Sequence, residues 1–290
     1  MKLLLKFNLA FILVFALGLL ATGYVTWNLL QRNARDETLD RARLLMENAI
    51  AVRKYTTEHV APLLKTQMKY VFLSESVPAF SATEVLHTLQ QKYADYSYKE
   101  AMLNPTNPRD RAVDWEADVI NKFRAGGGGG EIVGERDTPT GPVLYVARPL
   151  QINDPGCLVC HSTVDAAPRT LIDQFGQANG FGWQLHDVVG AQVLSVPTEI
   201  PQARARAAFI VFMQWLTGVI VLIGVVLNLM LWLLVIRPVK RLATVANRVS
   251  LGQFDAPEFA DRGRDEMRLL ADSLTRMRKS LVQAMKMLEG

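Results

Sequence analysis

Five consecutive residues carry the clearest chemistry in the chain: Cys157-Leu158-Val159-Cys160-His161. Two thiols separated by two residues can add across the vinyl groups on one porphyrin edge. An imidazole directly after the second thiol turns beneath the iron as an axial ligand. The spacing points to one covalent haem c, with Cys157 and Cys160 holding the macrocycle and His161 on the iron. These are the only two cysteines in 290 residues, so no thiol is left for another scheme. Other chemistries stay open for the same residues. A redox-active or structural C-x-x-C disulfide would not require His161. A four-ligand zinc site would need two more ligands, and His59, His87 and His186 are the histidines that remain. Haem c is attached to reduced thiols outside the bacterial cytoplasm, so the motif also constrains compartment.

The elements that must position this motif begin with two apolar blocks. Half of the residues are apolar and the net charge is only +4, too small and scattered to argue for nucleic acid. The first block, residues 7–30, follows Lys2 and Lys6. It is longer than the roughly 7–15 apolar residues of a signal peptide, and Tyr24 and Trp27 sit near its end like an interfacial belt. An uncleaved transmembrane helix is expected, although Ala21-Thr22-Gly23 also reads as a cleavage site. The second block, residues 207–236, exceeds the roughly 20 residues needed to span a bilayer. Arg204 and Arg206 precede it, and Arg237, Lys240, Arg241 and Arg248 follow. The positive-inside rule favours both termini in the cytoplasm. That topology exports residues 31–206 across a bacterial inner membrane and puts the thiols in the periplasm, where haem c is made.

Within the exported segment, Thr38, Ala42, Leu45, Ala49 and Val52 recur at helical spacing. They predict a helix over 31–73 that continues out of the first span and is kinked or divided at Pro62. Ser81-Ala82-Thr83-Glu84 resembles a capping start for a helix to Tyr93. Residues 96–102 alternate as a strand, and Asn104-Pro105-Thr106-Asn107-Pro108 is loop. A helix is expected from Asp110 to Phe123. Its Asp114, Glu116 and Asp118 suit dipole partners on a solvated face better than catalytic carboxylates. Gly126 to Gly130 read as a surface loop, since no lysine and hydroxyl ending makes them a phosphate loop. Strands over 131–137 and 143–150 flank a turn-rich loop and predict a hairpin. The haem motif follows in a loop. A last strand pair is expected over 182–188 and 191–196, turned at Val189-Gly190. The fold class is α+β, with long helices first and an antiparallel sheet after them.

CLVCH, the upstream block YSYKEAMLNPTNPRDRAVDWEAD and the downstream NGFGWQLHDVVGAQVLSVP together resemble the single-haem, c-type, PAS-like sensor domains of bacterial and cyanobacterial signalling proteins. The resemblance covers most of residues 35–200. It implies a PAS-like fold, one covalent haem and His161 as axial ligand. Some members resemble a thiolate-ligated haem, with a cysteine on the helix after the membrane span. This sequence has none there, and His59 or Met68 are candidates for the sixth position, which can also stay open to a gas. Arg148 and Lys99 are candidate partners for the haem propionates.

The last 54 residues hold a second pattern. Val239, Leu242, Ala246 and Val249 form one heptad seam, and Leu270, Leu274, Met277, Leu281, Ala284 and Leu288 form another. Two short amphipathic helices cannot bury such stripes alone, so a parallel bundle in a homodimer is expected. Pro238 just after a membrane helix, Gly252 at the first helix end and Asp265-Glu266 before the second seam resemble a HAMP domain over 237–290. An amphipathic helix pair lying on the membrane is the alternative. Together these features imply a transmembrane receptor that detects redox state or a diatomic ligand at its haem. No kinase, cyclase or methyl-accepting segment precedes Gly290, so either a separate cytoplasmic partner or a natural truncation of a longer receptor architecture is expected, and enzymatic activity is not. The rival reading is a membrane-anchored monohaem cytochrome for periplasmic electron transfer. A third is a small-molecule receptor whose haem is only structural.

Overall fold

The structure, a computed structural model, describes residues 3–253 and 266–288. The chain divides into two units, one spanning Trp27–Ala208 and the other formed by the segments before and after it. The described helices are α1 (Leu3–Tyr55), α2 (Ala61–Leu64), α3 (Pro78–Lys92), α4 (Asp114–Arg124), α5 (Leu158–His161), α6 (Arg169–Phe175), α7 (Glu199–Leu231), α8 (Arg237–Ser250) and α9 (Glu266–Leu288).

The Trp27–Ala208 unit is built on one antiparallel sheet. Its strands are β1 (Ser97–Met102), β2 (Ile132–Thr138), β3 (Gly141–Gln151) and β4 (Val188–Pro197), in the order β1-β4-β3-β2. The period of two along β3 and β4 sends side chains to both faces. Leu144, Val146, Leu194 and Val196 meet Ala42, Met46 and Ala49 of α1 and Ala82 and Leu86 of α3. On the other face Ala147, Ala191 and Val193 meet Val119, Ile120 and Phe123 of α4. The sheet is thus covered on both sides, as the expected α+β class requires. On α1 the inward positions Thr38, Ala42, Met46 and Ala49 are at most 1% exposed. The small residues among them let the helix lie close to the sheet.

Pro62 acts as expected, through a specific device. It lacks an N–H, and its ring crowds the carbonyl four residues back. The helix widens ahead of it into a π turn, Thr56–Val60, in which Ala61 N–H donates to the Thr56 carbonyl. Pro238 is preceded by the same arrangement: a π turn over Trp232–Ile236, with Arg237 N–H donating to the Trp232 carbonyl.

Four expectations are corrected. The anticipated strand pair is the single strand β4. Gly190 does not turn the chain; it pairs with Met102 on one side and Leu150 on the other, and a side chain there would strike the Ala101 carbonyl. Residues 182–187 lie outside the strand, with His186 at a φ of 71°. Helix α3 starts at Pro78, before the Ser81 signal, because proline suits the first helical turn; Ser81 Oγ donates to the Glu75 carbonyl. Helix α4 starts at Asp114, after a short 3-10 turn over Pro108–Asp110. Glu116 is buried, not solvated: it accepts from Val113 N–H at 3.0 Å and from Lys99 Nζ at 2.7 Å.

Among the described residues, two helices are long and apolar enough to cross a membrane, and their most apolar windows are wholly unburied. That exposure separates them from core helices of a soluble protein. After the second, Leu242, Val249 and Ala271 form a small core between α8 and α9. Helix α8 ends as a glycine cap: Gly252 adopts a φ of +81° and Gln253 N–H donates to the Arg248 carbonyl. The rest of the expected connector, 254–263, lies outside the described residues, as do Asp265, Lys2 and Gly290.

Candidate haem site

The end of α1, the 68–80 segment, the edge of β1 and the C-x-x-C-H turn surround a cavity of about 910 Å³. Its walls include Phe72, Phe80, Met102, Leu150, Ile152, Phe175 and Trp183. Cys157, Cys160 and His161 all border it. Local structure puts them on one wall. Asp154 Oδ1 accepts from Gly156 N–H at 2.8 Å, which opens the turn after β3. Cys157 then flanks α5, and Cys160 and His161 lie in its single turn. Both thiols are free. Burial raises both thiol pKa values, helped by Asp154 at Cys157 and by Cys157 at Cys160, so both are protonated near neutral pH.

His161 is held on three sides. Its ring stacks on Trp183, with centroids 3.9 Å apart and planes 17° apart. Its Nδ1 lies 2.7 Å from the Gly180 carbonyl and 3.4 Å from Thr106 Oγ1. A carbonyl only accepts, so Nδ1 carries the proton and Nε2 keeps its lone pair, the arrangement a metal-ligating histidine needs. Burial lowers the His161 pKa, and the Gly180 bond opposes that in part; the ring is neutral near pH 7. Gly180 has a φ of +87°, and a side chain there would run into Thr106, so glycine brings the carbonyl in. The strand-to-turn segment is tied back to the motif by Trp183 N–H to the His161 carbonyl and Gly182 N–H to the Ser162 carbonyl.

The volume lies within the about 300–1,000 Å³ of small-molecule and cofactor pockets. The apolar walls, two free thiols and an imidazole with a free Nε2 fit a covalently held haem. Among the described residues, no group of three or more His, Cys, Asp or Glu side chains could hold a bare metal ion. A zinc site therefore lacks ligands there, whereas a porphyrin brings its own four nitrogens.

The two sixth-position candidates separate. His59 is exposed, its ring 5.2 Å from that of Tyr55, and it does not border the cavity. Met68 does border it, with Sδ accepting from Leu73 N–H at 3.0 Å and Ser76 Oγ at 3.3 Å. Arg148 is committed to Glu47 and Glu131, and Lys99 to Glu116 and the Arg111 carbonyl. Neither borders the cavity; Arg53, Lys54, Lys65 and Arg109 are its cations. Sequence reasoning missed Arg53 and Glu100. Glu100 is 1% exposed, accepts from Arg53 of α1 and from Tyr98 Oη at 2.8 Å, and Gln192 donates to Tyr98 Oη at 2.9 Å. One signal was available for Arg53: it falls on the inward stripe that runs through Ala42, Met46 and Ala49.

A sheet covered by helices on both faces, a cofactor-sized cavity bordered by a C-x-x-C-H turn, and membrane-length helices followed by a heptad pair fit a membrane-anchored signalling protein. A family model described as Tll0287-like matches residues 31–197, and the chain belongs to this PAS-like family of haem proteins. A HAMP domain matches residues 230–283. Among solved structures, the one described as the cyanobacterial heme-protein Tll0287 is similar at 13% identity and a TM-score of 0.43, over 56% of this chain and 95% of that one. So slight a likeness carries no argument. Nothing among curated proteins matches.

Proposed function

We propose that the protein is a homodimeric transmembrane receptor with one covalent haem c, held by thioethers from Cys157 and Cys160 with His161 on the iron. Residues 7–30 and 207–236 cross the bacterial inner membrane, residues 31–206 lie in the periplasm, and residues 237–290 form the cytoplasmic HAMP domain. When bound, the haem would supply an iron able to change redox state or to take a diatomic ligand. The observation that carries the reading is the His161 ring, stacked on Trp183 and donating from Nδ1 to Gly180 beside two free thiols. The chain's own residues hold the imidazole, line the cavity with aromatic walls and offer Met68, one of the lining side chains, as a candidate sixth ligand. His59 is exposed and does not border the cavity, which favours Met68 over it. The HAMP match favours a receptor over an electron carrier: a carrier has no use for α8 and α9.

The test is an absorption spectrum of the full chain, produced with haem c maturation and purified in detergent, oxidised and reduced, with and without carbon monoxide. A covalent c-type spectrum that shifts with carbon monoxide supports gas sensing. A six-coordinate spectrum indifferent to it supports redox sensing and a Met68 ligand. No covalent haem after competent maturation overturns the proposal.

A further inference from the structure

Helix α1 carries a second stripe, turned away from the sheet. Leu44, Asn48, Ala51 and Tyr55 are all exposed, Leu44 at 71% and Tyr55 at 60%. Their steps of 4, 3 and 4 are those of a heptad seam, with Asn48 and Tyr55 at one of its two positions and Leu44 and Ala51 at the other. Beyond Tyr55 the π turn adds one residue to the helix. The next seam positions therefore fall one residue later than a heptad count gives, at His59 and Leu63. Both are exposed, Leu63 at 78%. The stripe thus passes through the π turn without leaving its face. This is also why His59 is off the cavity: it belongs to the outer stripe.

We infer that this stripe is the face on which the sensor domain packs against α1 of a second copy, parallel and in register. Four observations select that occupant. Heptad spacing is self-complementary, since identical parallel helices mate along it. Helix α1 begins in a membrane-length apolar segment, so every copy in one bilayer presents α1 in the same direction and at the same height. A two-fold axis along the stripe then brings each residue to its own counterpart. Asn48 suits that symmetry, because its amide holds both a donor and an acceptor and can pair with an identical amide. An asparagine at a seam position flanked by Leu44 and Ala51 favours the register that brings the two amides together. At the other end of the chain, among the described residues, α8 and α9 bury Leu242, Val249 and Ala271 between them and leave Leu270, Met277 and Leu281 exposed. Those heptad positions need the same kind of partner. Ala51 lets the backbones approach closely, and Leu44, Tyr55 and Leu63 supply the apolar contact on either side of it. The inference rests on the proposed membrane insertion and not on the haem.

Bismaleimide cross-linking of the full chain in native membranes tests it. Ala51→Cys and Leu44→Cys are expected to give a covalent dimer several-fold above the parent chain. Asp36→Cys, exposed on α1 but off the stripe, is expected to stay at background. Leu281→Cys reports dimerisation of the cytoplasmic end independently, and haem staining of the same gel reports folding. Cross-linking at Leu281→Cys with Ala51→Cys no better than Asp36→Cys overturns the inference and leaves the dimeric receptor standing. Failure at both ends overturns the two together. An adduct of Ala51→Cys at a mass other than twice the chain identifies a different partner and overturns it as well.

Discussion

Asp110 borders the cavity, 3.6 Å from Arg109, and burial raises its carboxyl pKa to about 6 against the opposing pull of Arg109. In the unfolded chain the same group titrates near its ordinary value of about 3.9. The folded state therefore holds the extra proton between these two values, and stability falls as pH rises through that window. Asp110→Asn removes the liability. It is expected to raise the thermal midpoint of the full chain in detergent above pH 6 and to leave it unchanged at pH 4 and below. Each pKa unit is worth about 1.4 kcal/mol, which caps the gain at about 3 kcal/mol. Equal midpoints at pH 8 would refute a buried, destabilised carboxylate. At this scale the sequence was most informative where covalent chemistry dictates spacing, at Cys157, Cys160 and His161. It did not show that Asp110 and Glu116 are withdrawn from water, because the fold is what brings Lys99 to Glu116 and sets Asp110 at the cavity wall. An acid early in a helix reads as a solvated dipole partner until a lysine on a neighbouring strand is known to face it.

Helix α1 and strand β1 are joined by the Arg53–Glu100 ion pair, with Glu100 1% exposed and Arg53 at the cavity wall. Removing one member leaves a buried charge without its counter-ion, which costs about 3–5 kcal/mol. Arg53→Ala is expected to destabilise the chain by about that much in thermal or denaturant unfolding. The double variant Arg53→Met with Glu100→Leu is expected to recover most of it. Recovery failure would mean that the pair is needed for more than charge balance. Elements were legible where one periodicity dominated. The inward stripe from Thr38 to Val52 reads as a helix covering a sheet, and that is its place. The hairpin of β2 and β3 was equally plain, from the turn residues between two alternating runs. Strand β4 was not, because Gly190 looks like punctuation. Its real role, making room for the Ala101 carbonyl of the neighbouring strand, is a contact between residues about ninety positions apart. No local pattern encodes that.

For the whole molecule, the decisive contrast is between a receptor and a carrier. Deleting residues 237–290 is expected to leave the haem spectrum unchanged and to reproduce the phenotype of a strain lacking the protein. Retention of the wild-type phenotype would identify an electron carrier instead. The membrane-length segments and the heptad seams were readable from the sequence because length and period alone define them. The two π turns were not, although a proline marks each one. The turn over Trp232–Ile236 gives that proline a consequence for how a signal can leave the membrane. It holds one residue more than an α turn, and one residue in an α-helix is about 100° of rotation. If the turn relaxes to α geometry, α8 revolves by that angle about its own axis, and the seam carried by Leu242 and Val249 faces a new direction. In the proposed receptor, torque at a single turn would then suffice to switch output, with no requirement that the apolar segment before it slide through the bilayer.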